Sequence, residues 1–170
     1  MGRRQLILIG ESFIGDGVNA AHINVVLGHR DGPVGSAWVT ALATPSAGHA
    51  PFVAVAAPGV PVVPPTLFVN KAAISGAVHG NMTWGPAQAG VAQGVGQALE
   101  QSVIDTADVD DLVLIAAVWV NPKADDEAEV FRNNQVATLE ALQKAVKHLP
   151  AASEFMSAAR APFNPFYTPA

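Results

Sequence analysis

The sequence predicts a two-layer α/β sandwich, a mixed β-sheet with helices packed on one face. Three observations carry this reading. Short apolar runs bounded by Gly, Pro and Asn alternate with longer helical patterns, in the order β, β, α, β, β, α, β, α. Residues 112–120 are nearly all apolar, as a strand buried on both faces requires. Residues 125–148 form an amphipathic pattern in which Val130, Val136, Leu139, Leu142 and Val146 can share one face, with Glu127, Glu129, Arg132, Glu140 and Lys144 mainly on the other. The chain has 170 residues, enough for one real core, and shows neither an internal repeat nor a domain boundary, so residues 1–170 are read as one domain.

Each element has its own signal. Residues 5–9 read as a first strand, and the glycine-punctuated stretch 10–17 as a loop. Residues 20–27 read as a second strand. Asp31-Gly32-Pro33 marks a turn, and residues 36–42 a short helix capped by Ser36. Residues 51–57 and 66–74 read as strands separated by the proline-rich linker 58–65, which cannot be a central strand. Pro86 suits the first turn of a helix running to about residue 103, whose Gly90, Gly94 and Gly96 read as a close-contact face. Residues 105–111 are an acidic turn. Pro150 ends the amphipathic helix. The tail 161–170 carries Phe163, Phe166 and Tyr167 between prolines, and is either disordered or docked on a neighbouring subunit.

Composition narrows the class of function. Charged residues make up 14 % against roughly a quarter in an average soluble protein, while 50 % are hydrophobic, so part of the surface is expected to lie against other copies of the chain. A net charge of −5 argues against a nucleic-acid partner, and Arg3-Arg4 is only a small basic pair. The chain has no cysteine, which removes disulfides, thiol catalysis and zinc–thiolate sites. The apolar run 6–9 is too short for a signal peptide, and the apolar region 51–70 is interrupted by prolines, so neither export nor membrane insertion is expected. The chain reads as cytoplasmic. The sequon Asn81-Met82-Thr83 is accidental in that setting.

Within residues 32–99 the only formally charged side chain is Lys71. A lysine in such surroundings either packs its stem on apolar surface with its head in solvent, or serves a site. In the second strand, alternation places Ala21, Ile23, Val25 and Leu27 on the core face and His22, Asn24 and Val26 on the other. Leu67, Val69, Lys71 and Ala73 group in the same way. If the two faces meet across a cleft, His22, Asn24 and Lys71 make a compact, donor-rich site. His22 is either a hydrogen-bonded structural residue or a proton donor with an ordinary pKa of about 6.5. His29, His49, His79 and His148 have no metal-site spacing with it, and no nucleophile elbow surrounds Ser12 or Ser36. Gln88 opens the long helix, where free backbone N–H groups and its amide could hold a polar ligand, or it is a solvated first-turn residue.

Taken together, Gly10-Glu11 with Gly15-Asp16-Gly17, Ala21-His22-Ile23, Asn70-Lys71, Gly85-Pro86-Ala87-Gln88, Asp110-Asp111-Leu112 and Ala137-Thr138 resemble the formaldehyde-activating enzyme family. The resemblance runs from about residue 6 to 160. It implies condensation of formaldehyde with tetrahydromethanopterin to methylene-tetrahydromethanopterin and water, a step of one-carbon metabolism and formaldehyde oxidation in methylotrophy, formally a lyase reaction. It implies a fold related to the second domain of a small-subunit ribosomal protein, a homopentamer, and no metal or bound cofactor, with tetrahydromethanopterin as co-substrate. It also implies that His22 is the proton donor and that Asn24, Val53, Lys71, Ala73 and Gln88 line the pterin site.

The sequence departs from the family pattern at four places. The family usually has Asp at position 24, Leu at 53, Thr at 73, and a His-Trp-Glu segment where this chain has Asn121-Pro122-Lys123. Asn24 keeps the shape and one acceptor of an aspartate but not its charge, and Ala73 removes a hydroxyl. These changes leave two alternatives to the family reaction: a carrier or sensor that binds a reduced pterin or formaldehyde adduct, or an enzyme with a different carrier or aldehyde.

Overall fold

The structure is a computed structural model that describes residues 6–169. Arg3, Arg4, Gln5 and the last tail residue, Ala170, lie outside the described residues. Five strands form one mixed sheet in the order β1 (Ile7–Ile14), β2 (Ala21–His29), β7 (Leu112–Trp119), β6 (Thr66–Asn70) and β3 (Phe52–Val53), and β4 (Val55–Ala57) and β5 (Val60–Pro61) pair in a separate two-stranded hairpin. The β1–β2, β2–β7 and β3–β6 pairs are antiparallel and β6–β7 is parallel.

β1 spans Ile7–Ile14, longer than expected. Gly10 does not turn the chain. It faces the helical layer, where a Cβ would stand 1.9 Å from the carbonyl oxygen of Ala141, so the glycine permits a close approach. The chain turns only at Gly15, whose φ is 83°. β2 spans Ala21–His29, and its core face of Ala21, Ile23, Val25 and Leu27 is buried as the alternation requires.

Helix α1 spans Pro33–Ala43. It starts earlier than expected because Pro33 occupies its first turn, and Ser36 is not its cap: the Ser36 hydroxyl donates to the Gly32 carbonyl at 3.4 Å. Val34 sits where a Cβ on Gly28 would fall, so α1 covers one end of the sheet face that carries His22, while the main helical layer covers the other face. The stretch 51–57 divides into β3 (Phe52–Val53) and β4 (Val55–Ala57), the latter pairing with β5 (Val60–Pro61) out of the linker.

β6 covers Thr66–Asn70 and stops short of residue 74. Asn70 ends it: its Nδ2 donates to the carbonyls of Gly48 at 2.8 Å and Ala72 at 2.7 Å, bending the chain out of the sheet. Lys71 keeps one ladder bond, from its N–H to the Val118 carbonyl at 2.8 Å. Ala73 therefore does not alternate with Lys71 on a strand. It is exposed and packs close to Gly48.

The helix expected to begin at Pro86 begins ten residues earlier. α2 (Gly76–Met82) runs through a π-turn, Thr83–Ala87, into α3 (Gln88–Glu100). The wider turn absorbs a proline that lacks an N–H. Gly76, Gly80, Thr83 and Gly85 are weak helix formers, which hides the first turns from the sequence. Gly90 and Gly94 do form a close-contact face against α4 (Glu127–Val146): a Cβ there would meet the Phe131 and Gln135 carbonyl oxygens at 2.5 and 2.7 Å. Gly96 faces open space.

β7 spans Leu112–Trp119, and its second face is only half-buried. On α4, Val130 and Leu142 are buried, but Val136 and Val146 are exposed, and the contact is made by Ala137, Thr138, Ala141 and Ala145. Small side chains let α4 lie close to β1 and α3, which turns its buried stripe away from the bulky valines. A short exposed helix, α5 (Ala152–Ala158), follows Pro150, without a sequence signal of its own.

Candidate active site

The face of the sheet opposite α3 and α4 carries the candidate chemistry. Register places Glu11 opposite Asn24, Phe13 opposite His22, and His22 opposite Trp119. These side chains therefore share one face. The Glu11 carboxylate reaches His22 Nε2 at 3.0 Å, diagonally across β1 and β2. Lys71 Nζ donates to Asn24 Oδ1 from two strands away, across β7. The cleft expected to join His22, Asn24 and Lys71 is thus a single open sheet face.

The polar cluster is only partly buried: Glu11 and Lys71 are exposed, His22 and Asn24 half-buried. Partial burial lowers the His22 pKa below its usual 6.5, and the nearby Lys71 charge lowers it further, against the charge and hydrogen bond of Glu11. Partial enclosure likewise lowers the Lys71 pKa, opposed by Glu11. His22 is about one-third exposed at the side chain and can pass a proton to a bound molecule. Its Nε2 turns toward Glu11, which fixes the ring's orientation.

Above Glu11 and His22 lies a cavity of about 980 Å³. Glu11, Phe13, His22 and Trp119 line it from the sheet, and Phe163 to Phe166 from the tail. The tail folds over its own chain: the Phe166 ring stands edge-on to Trp119, 5.9 Å between centroids at 85°. A second depression, about 1090 Å³, lies between Trp84–Pro86 and Phe131, and its lining holds neither histidine nor lysine.

The remaining expected site residues lie elsewhere in the chain. Val53 pairs with Leu67 at the far edge, three strands from His22, roughly 14 Å across the sheet. Gln88 is not at a free helix start. It is buried inside a continuous helical path, its own N–H donates to the Gly85 carbonyl, and its Oε1 accepts the Val55 N–H at 2.6 Å. Asn70, beside Lys71, holds the turn that presents it, and His49 Nδ1 lies 2.8 Å from the Asn70 carbonyl oxygen. His79 is structural: its Nδ1 accepts the Ser75 N–H, so Nε2 carries the hydrogen and donates to the Val120 carbonyl at 3.0 Å.

Glu11, Phe13 and Trp119 are site residues that the sequence reading did not single out. Gly10 resembles a loop residue, and a strand that stops before it leaves out Glu11 and Phe13, which lie within β1. Had β1 been extended, alternation alone would have put both on the His22 face. Among the described residues there is no group of three or more His, Cys, Asp or Glu able to hold a metal, and no helix long and apolar enough to cross a membrane.

Comparison with known proteins adds an independent line. Residues 9–167 match a family model described as formaldehyde-activating enzyme (Fae). A "Bifunctional enzyme Fae/Hps" of Methanococcoides burtonii is 39 % identical over 145 residues, covering 85 % of this chain and 37 % of that protein. One of the same name from Archaeoglobus fulgidus is 34 % identical over 158 residues, covering 93 % of this chain and 40 % of its own length. The chain spans about two fifths of the length of the curated relatives it matches.

Proposed function

The chain belongs to the formaldehyde-activating enzyme family, and from that premise we propose that it condenses formaldehyde with tetrahydromethanopterin, giving methylene-tetrahydromethanopterin and water, with His22 as general acid. The observation that carries this reading is the Glu11–His22 pair at the floor of the cavity, with the Lys71–Asn24 pair on the same sheet face.

One carrier amine attacks the carbonyl carbon of formaldehyde, and its proton passes to the oxygen, leaving a hydroxymethylamine. The hydroxyl leaves as water only once it is protonated, and His22 supplies that proton as imidazolium. The second amine closes on the resulting methylene iminium, and its proton returns to His22. Glu11 fixes the ring, and its charge favours the imidazolium. Lys71 and burial oppose it, which makes His22 a stronger acid when charged. Holding both reactants in register supplies much of the remaining acceleration.

The same reading includes a homopentamer, a cytoplasmic role in formaldehyde oxidation and detoxification, and a fold related to the second domain of a small-subunit ribosomal protein. The mixed sheet with its main helical layer on one face supports the fold relation. Exposed Ile7, Ile9, Val39, Leu42 and Val60 support assembly. Val53 stands three strands from His22, so within one chain the two do not touch the same ring of the carrier.

A second reading, a carrier or sensor for a reduced pterin or an enzyme for another carrier or aldehyde, is favoured by Ala73 and by Asn24, whose Oδ1 is already engaged by Lys71. The test is product formation from formaldehyde and tetrahydromethanopterin with the purified chain. A rate well above the buffer reaction is expected. Carrier binding without acceleration would support the second reading.

A further inference from the structure

Resting on the pterin-dependent reading, we propose that the C-terminal segment 163–166 is an aromatic strap that forms the outer wall of the carrier's ring site, holding the planar pyrimidine half of the pterin over the sheet beside His22. Phe13 and Trp119 line the cavity from the sheet, and Phe163 and Phe166 from the tail. Phe166 meets Trp119 edge-on, and the aromatic rings that line this one cavity suit a flat heterocycle, through stacked and edge-to-face contacts. The cavity, about 980 Å³, is of the size that small-molecule sites occupy, roughly 300–1,000 Å³.

The strap's shape is set locally. Asn164 and Tyr167 exchange backbone hydrogen bonds at 2.9 and 3.0 Å, and Asn164 Oδ1 accepts the Phe166 N–H at 2.9 Å. Pro162, Pro165 and Pro169 restrict the chain on either side of that turn. The segment thus keeps its form without burying its rings: Phe163 and Phe166 remain 77 % and 80 % exposed. Phe166 already meets Trp119, and the surface that both phenyl rings leave free can pack on an entering ligand ring, while a pre-shaped wall loses little entropy on binding.

The test uses the full chain with both rings removed, Phe163→Ala with Phe166→Ala. Their exposure means the fold does not depend on them, and far-UV circular dichroism and light scattering check this. The expected result is a KM for tetrahydromethanopterin raised about tenfold or more, with kcat and the formaldehyde KM little changed, the signature of lost ground-state binding. Titration with tetrahydromethanopterin alone shows the same loss. A wild-type KM in the variant, while the wild-type protein accelerates the reaction, overturns the strap and leaves the reaction standing. A fall in particle mass at unchanged KM overturns it in favour of a contact between copies. A wild-type protein that neither accelerates the reaction nor binds tetrahydromethanopterin overturns both.

Discussion

At His22 two neighbours act in opposite directions on one proton. Burial and Lys71 make the imidazolium harder to form, and Glu11 makes it easier. The reaction needs the imidazolium, so kcat/KM is expected to fall as pH rises through the His22 pKa, below 6.5. Glu11→Gln removes the stabilising charge, so this limb moves to lower pH. Lys71→Met removes the opposing charge, so it moves to higher pH. Profiles of the two variants measured beside the wild type check the signs. Coincident limbs in all three would contradict His22 as the titrating acid. Asn24 carries no charge, and Glu11 is the carboxylate paired with His22.

Among the elements, helices α3 and α4 approach through glycines, and two substitutions separate contact from propensity. Gly94→Ala drives a Cβ to within 2.7 Å of the Gln135 carbonyl oxygen, and is expected to destabilise by about 1–3 kcal/mol. Gly96→Ala meets nothing and should stabilise by up to ~1 kcal/mol. Urea unfolding of both variants checks the pair. Gln88→Ala leaves the Val55 N–H without its acceptor and should cost about 1–3 kcal/mol, a stability effect present without any ligand. Alternation in β2 made its core face and the His22–Asn24 face readable, and Gly90 and Gly94, though not Gly96, announced the close packing of α3 on α4. What stayed hidden had a local signal that pointed elsewhere. Gly10 resembles a turn residue and is a packing residue inside β1. Pro86 resembles a helix start and sits in a π-turn. Asn70 ends β6 through side-chain bonds to Gly48 and Ala72, one of them to a distant turn that no short window of sequence contains. Lys71 reaches Asn24 by sheet order, β2-β7-β6, which the strand patterns do not encode.

For the whole molecule, the scarcity of charge has a visible counterpart. The stretch 32–99 is not mostly buried within one chain: Val39, Val60, Val63 and Val78 are about half-exposed or more, and Lys71 is exposed. So much apolar surface is costly in a monomer. Light scattering is expected to give five times the chain mass, and a monomeric particle at micromolar concentration would contradict the assembly. The central claim, that one histidine on this open sheet face drives dehydration, is tested most directly by the condensation rate of wild type and His22→Ala at matched particle mass and carrier saturation. The account predicts acceleration over buffer by the wild type and a loss of about 10²–10⁴-fold in the variant with carrier binding retained. Equal rates for the two proteins would contradict it.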